Sequence, residues 1–142
     1  MKIYLDTSSL VKLYHDEVGT EELDKIFNNY VIDQIFLSEI AKLEFNSAIW
    51  KKVRAKDISS NEAKEIIEAF EFDVEKYTFI LIDSSVIEDA LSLLSKYGSK
   101  GLRSLDAIQL ASVLQVEEKI SFAKTADELL KDLMINEDIK IL

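Results

Sequence analysis

Short apolar runs alternate along the chain with longer segments whose apolar positions recur at helical spacing. Lys2 to Leu5 reads as a strand, and Asp6-Thr7-Ser8-Ser9 is a cluster of capping residues that opens a helix through Tyr14. Thr20-Glu21-Glu22 starts a second helix running to about Asn29, and Gln34 to Leu37 reads as a second strand. Ser38 then caps a long helix toward Arg54, and Ser59-Ser60 caps another through Phe72, so the two form a helical hairpin. Thr78 to Ile82 is the clearest strand, Ser85 with Glu88 spells a capping box for the next helix, and Gly98 ends that helix. Ser104-Leu105-Asp106 opens a helix to about Val116; Ile120 to Ala123 is a strand, Thr125 with Glu128 a further capping box, and Ile139 to Leu142 a terminal strand. Strand and helix in alternation predict an α/β fold, with a parallel sheet covered by helices on both faces.

Composition narrows the class. A chain of 142 residues suits a single domain spanning 1–142, and 48% hydrophobic residues suffice for a sizeable core. No apolar run approaches the ~18 residues of a membrane span, and Asp6 arrives too early for a signal peptide, so the expected location is the cytoplasm, with no membrane contact. The lack of cysteine excludes disulfides and thiolate zinc sites. Three glycines leave no room for a P-loop or a dinucleotide fingerprint, and the one histidine, His15, beside Lys12 and Asp16, reads as a surface residue. With 27 acidic against 17 basic residues the net charge is −10, so any phosphate chemistry must offset repulsion locally or through metal.

The acidic residues carry the candidate chemistry. Sites in open α/β sheets form beyond the carboxyl ends of the strands, where Asp6 stands, although it is equally well placed to cap the following helix. Glu44 shares a helix face with Leu37, Ile40, Ala41 and Ala48, and a glutamate in an apolar stripe needs a partner, a metal or a cation such as Lys51 at i+7. Asp106 lies on a face with Leu102, Leu110 and Val113, and Gln109 three residues on makes a capping box an alternative. Asp127 falls in the first turn after Thr125, where the helix dipole favours negative charge. Each has a structural explanation by itself; the four together define a pattern.

The segments LDTSSLVKLY, LSEIAKLEFNSAIWKK, SLDAIQLASVL and TADELL resemble, in order and spacing, the four motifs of the PIN-domain ribonucleases, and most closely the VapC toxins of toxin–antitoxin pairs. The resemblance runs from Lys2 to about Leu130. It implies a three-layer α/β/α fold with a central parallel sheet of about five strands. It also implies an acidic pocket of Asp6, Glu44, Asp106 and Asp127 with Ser8 and Thr125 as polar helpers, Mg²⁺ or Mn²⁺ as cofactor, and hydrolysis of RNA phosphodiester bonds by a metal-activated water. Hard oxygen donors suit those ions. Asp6 and Asp106 are then the principal ligands, Glu44 the group that orients or deprotonates water, and Asp127 the holder of a second ion or a water-mediated ligand.

Substrate contact falls to the few basic residues near these ligands: Lys51, Lys52, Arg54 and Lys56 after Glu44, and Lys100 and Arg103 before Asp106. Phe45, Ile49, Trp50, Phe70 and Phe72 give the hairpin more large apolar residues than one covered face requires, which predicts a homodimer interface with a cognate antitoxin packed nearby. Other readings are a silent PIN-fold binding module, a metal-dependent DNA nuclease, and a phosphoacceptor receiver domain using Asp83. A receiver would need an acidic pair after the first strand and a late Lys-Pro, and the chain has only Asp6 and no proline.

Overall fold

The computed structural model describes all residues, 1–142. Four strands, β1 (Lys2–Leu5), β2 (Gln34–Ser38), β3 (Thr78–Ile80) and β4 (Phe122–Lys124), form a wholly parallel sheet in the order β3-β2-β1-β4. Seven α-helices accompany them, the last following β4: α1 (Thr7–Val11), α2 (Thr20–Asn29), α3 (Ala41–Arg54), α4 (Ser60–Asp73), α5 (Ser84–Tyr97), α6 (Ser104–Leu114) and α7 (Glu128–Asn136).

Period-two alternation on the strands sorts the core into two layers. Ile3, Leu5, Leu37 and Phe122 pack with apolar residues of α1 to α4, including Leu10, Leu23, Phe45 and Phe70. Tyr4, Phe36 and Ala123 pack on the other side with α5 to α7, including Ala90, Leu110 and Leu133. The central strand is therefore buried on both faces, as the run Ile3-Tyr4-Leu5 requires.

Several boundaries differ from the sequence expectation. The helix after Asp6 stops at Val11, and Leu13 and Tyr14 continue in tighter turns to Leu10 and Val11. Ser38 ends β2 rather than capping the long helix, its hydroxyl accepting from the Ile40 amide at 3.3 Å, and α3 starts at Ala41. Asp83, not Ser85, caps α5 by accepting from the Val86 amide at 3.0 Å. Asp127, not Thr125, caps α7 through the Leu130 amide at 2.7 Å. The cap belongs to the polar residue that is extended and within reach of the amide three residues on, which composition alone does not select among neighbouring Asp, Ser and Thr. The Ser59 cap of α4 stands, with Glu62 completing the box. The helix before Gly98 ends as expected, but the reversal into α6 falls on Gly101 at φ 105°, a left-handed conformation that favours glycine. The terminal strand is reduced to one parallel bridge, Ile141 to Ala123, so the sheet has four strands rather than a full five.

Most of the hairpin's large apolar residues belong to the core. Phe45 and Ile49 of α3 and Phe70 of α4 are fully buried, Trp50 is half-buried, and only Phe72, 84% exposed, stands clear. Phe45 and Phe70 stack at 4.4 Å, and Tyr14 meets both edge-on at 5.5 and 5.6 Å. The core consumes most of the apparent surplus, leaving Phe72 of α4 and Leu43 of α3 exposed.

Candidate active site

The chain builds β1, β2 and β3 outward in one direction, then returns to place β4 on the other side of β1. That reversal leaves a crevice at the carboxyl ends of β1 and β4, the usual ligand position in such sheets. Leu5 and Lys124 are paired in register, and the Asp6 amide donates to the Lys124 carbonyl at 3.2 Å. Asp6 and Thr125 therefore leave the sheet side by side.

Asp6 is buried and fully engaged. Its Oδ1 accepts from the Ser9 amide at 2.9 Å, so it does cap α1, and the Ser8 hydroxyl lies 2.8 Å from both oxygens. Thr125 Oγ1 donates to Oδ2 at 2.6 Å. Thr125 in turn accepts from the Asp127 amide at 3.0 Å, and Ser8 from the Ala126 amide at 3.0 Å, tying the two loops together. Burial pushes the Asp6 carboxyl above its ordinary range, opposed by donors from Thr125, Ser9 and Ser8.

Glu44 reaches the crevice from α3. Its Oε1 accepts from Gln109 Nε2 at 2.8 Å and from Thr7 Oγ1 at 3.1 Å, and no cation pairs with it, so Lys51 is not its partner. Burial raises the Glu44 carboxyl, helped by the charges of Asp106 and Asp6 and opposed by the two donors. Asp106, half-buried in the first turn of α6, takes no donor. Gln109 does not form a capping box with it but turns to Glu44 and Thr7. Burial raises the Asp106 carboxyl first, repulsion from Asp127 and Asp6 adds to this, and Arg103 opposes it. Asp127 is exposed, with one oxygen committed to the cap of α7.

The four carboxylates thus share one region: Glu44 is raised in part by the charges of Asp106 and Asp6, and Asp106 by those of Asp127 and Asp6. No three His, Cys, Asp or Glu side chains converge into a preformed cage, because Asp6, Glu44 and Asp127 are turned onto protein donors. The donor set is nonetheless all hard oxygen, and a half-buried Asp106 without a donor has unbalanced negative charge; both fit a divalent cation of the Mg²⁺ type.

An open groove of about 430 Å³ adjoins Glu44, lined by Thr7, Ser8, Lys12, Lys51 and Lys52 among others. Lys51 is exposed and unpaired, whereas Lys52 and Lys12 are largely buried and both held by Glu17, the latter at 2.8 Å. Arg54 and Arg103 are exposed, and Lys100 lies over the Tyr97 ring at 5.7 Å. A larger cavity of about 640 Å³ opens at the amino ends of the strands, lined by Met1, Tyr30, Phe122 and Leu142, and contains none of the four carboxylates.

Sequence reasoning did not identify Thr7, Gln109 and Tyr4 as parts of this site. Gln109 offered a signal, a polar residue inside the apolar run of α6, and at 2% exposure it needs partners. The Tyr4 hydroxyl, in a strand read only as apolar, supplies one of them by donating to Gln109 Oε1.

Fold and site together define an α/β domain with an acidic crevice at the switch point of a parallel sheet. The PIN domain family model matches residues 3–135, and the chain belongs to that family. No curated protein sequence matches it. Among solved structures, FitAcB from Neisseria gonorrhoeae superposes with a TM-score of 0.72 at 15% identity, covering 99% of this chain and 96% of that one. VapC20 of Mycobacterium tuberculosis, a sarcin–ricin loop cleaving toxin, gives 0.71 at 13% identity, with 92% and 94% covered. A toxin–antitoxin complex from Klebsiella pneumoniae gives 0.61 at 18% identity, with 88% and 86% covered. No helix is long and apolar enough to cross a membrane.

Proposed function

We propose that this chain is a divalent-metal-dependent endoribonuclease and the toxin of a toxin–antitoxin pair. The observation that carries the reading is Asp106: a half-buried carboxylate with no donor, raised by burial and by repulsion from Asp127 and Asp6 at the switch point of a PIN fold. Asp6 and Asp106 would hold Mg²⁺ or Mn²⁺, and Asp127 would assist through the oxygen not used as a cap. Such an ion would supply charge neutralisation at the phosphate and a lowered pKa for water. Glu44, its carboxyl raised and one oxygen free of protein donors, accepts the proton of the attacking water. Thr125 and Ser8 orient Asp6, while Lys51, Arg54 and Arg103 meet the flanking phosphates.

The sarcin–ricin loop cleaving VapC20 and the toxin–antitoxin complex, both similar in fold, support the choice of substrate class and partner. A cognate antitoxin and a second copy of this chain are the proposed protein partners. The test is incubation of the purified chain with total RNA and, separately, single-stranded DNA, in Mn²⁺ and in EDTA. Cleavage of RNA in Mn²⁺ alone supports the reading. Cleavage confined to DNA replaces it with a DNA nuclease, and cleavage of neither replaces it with a silent binding module.

A further inference from the structure

Behind Glu44 lies a buried polar chain that the four acidic motifs do not include. Gln109 Nε2 donates to Glu44 Oε1 at 2.8 Å and contacts Thr7 Oγ1 at 3.0 Å, while Gln109 Oε1 accepts the Tyr4 hydroxyl. Tyr4 is completely buried, and Ser112 and Ser38, also buried, hydrogen-bond to each other at 2.9 Å in the same layer. Only one orientation of the Gln109 amide satisfies every partner. A charged carboxylate can only accept, so it needs the NH₂ end, and the Tyr4 hydroxyl then donates to the carbonyl end. Burial and the nearby Asp6 and Glu44 charges push the Tyr4 hydroxyl up, keeping it a neutral donor. Thr7 and Gln109 both address Oε1, and no protein donor reaches Oε2. Nothing else in the protein fixes the rotation of this carboxylate.

We propose that Gln109 is a positioning residue, which, with its amide locked by Tyr4, holds Oε1 of Glu44 so that Oε2 is presented to the attacking water. The proposal rests on the nuclease reading above for what Oε2 does, but not for the contact itself. Neither Gln109 nor Tyr4 touches substrate. Their effect should therefore pass entirely through Glu44, and should appear in kcat rather than KM.

The test combines kinetics with a measurement that needs no turnover. In Mn²⁺ and with a single RNA substrate, Gln109→Met should lower kcat by about tenfold or more with KM within about twofold, and Tyr4→Phe should cause a smaller loss of the same kind. In a Glu44→Gln background, Gln109→Met should add nothing further. Independently, the Gln109 side-chain amide protons of the wild-type protein, observed by NMR in EDTA, should exchange slowly and should shift in both Glu44→Gln and Tyr4→Phe. Full activity in a folded Gln109→Met, a KM effect alone, or additive losses with Glu44→Gln would overturn the proposal. So would rapidly exchanging amide protons indifferent to both substitutions, even if Gln109→Met did not fold. Inactivity of the wild-type chain on every RNA would overturn the nuclease reading instead, leaving the NMR result to decide whether Gln109 holds Glu44.

Discussion

A residue such as Glu44 is costly to keep where it is. Its carboxyl, like those of Asp6 and Asp106, sits above its ordinary range because of burial and, for Glu44 and Asp106, repulsion from neighbouring carboxylates. An acid with a raised folded pKa binds more protons folded than unfolded between the two values, so stability falls as pH rises through that window. The window opens near the ordinary carboxylate values, about 4, and closes at the raised ones. Glu44→Gln should therefore melt higher than wild type at neutral pH in EDTA, and the difference should shrink as pH is lowered toward 4. Gln can still accept from Gln109 and Thr7, so the contacts survive the loss of charge. Thermal melts across pH check this; a lower midpoint for the Gln variant at neutral pH would mean that Glu44 is a structural acceptor. At this scale the sequence was informative about charge and silent about partners. A glutamate in an apolar stripe announced itself, whereas Thr7, Gln109 and Tyr4 come from three different elements and meet it only in the folded chain.

Elements were legible wherever apolar periodicity was strong. The strands β1 and β2, the helices α2 and α4, and the hairpin of α3 with α4 lie where the pattern put them. Caps were less legible, because Asp83 competes with Ser84 and Ser85, and Asp127 with Thr125, and three-dimensional reach decides. Asp127 has two roles that substitution can separate. Asparagine caps nearly as well as aspartate, so Asp127→Asn should retain stability while lowering metal-dependent cleavage. Asp127→Ala should in addition lose the cap, a cost of about 1 kcal/mol. Denaturant melts of the two variants check the difference, and equal stability would remove Asp127 from the cap. In the hairpin, Phe45→Ala should cost about 3–5 kcal/mol, because Phe45 is fully buried against Phe70 and Tyr14. A cost under 1 kcal/mol by the same melts would mean that the hairpin face is not core.

At the scale of the whole molecule, the sheet order brings together what the sequence holds far apart. Asp6 and Thr125 are 119 residues apart yet hydrogen-bonded, because β4 returns beside β1. No pattern in the sequence specified that return; only the family resemblance implied it. The net charge of −10 remains a whole-molecule property that opposes RNA binding, so cation binding at the acidic crevice should contribute to both stability and substrate association. The proposed dimer is checked by light scattering at tens of micromolar, where a strictly monomeric mass would remove it; on the hairpin, Phe72 and Leu43 are the large apolar residues left exposed.

Asp106 joins these scales, being the carboxylate without a donor at the centre of the proposed chemistry. The most direct measurement follows wild type and Asp106→Asn side by side, by thermal melt and by RNA cleavage, in EDTA and in Mn²⁺. The Asn variant should melt higher in EDTA and cleave no RNA. Mn²⁺ should stabilise the wild type, by about 2.7 kcal/mol at a hundredfold excess over Kd, and the variant much less. An Asn variant that melts lower in EDTA, responds fully to Mn²⁺ and still cleaves RNA would remove Asp106 from the proposed metal site.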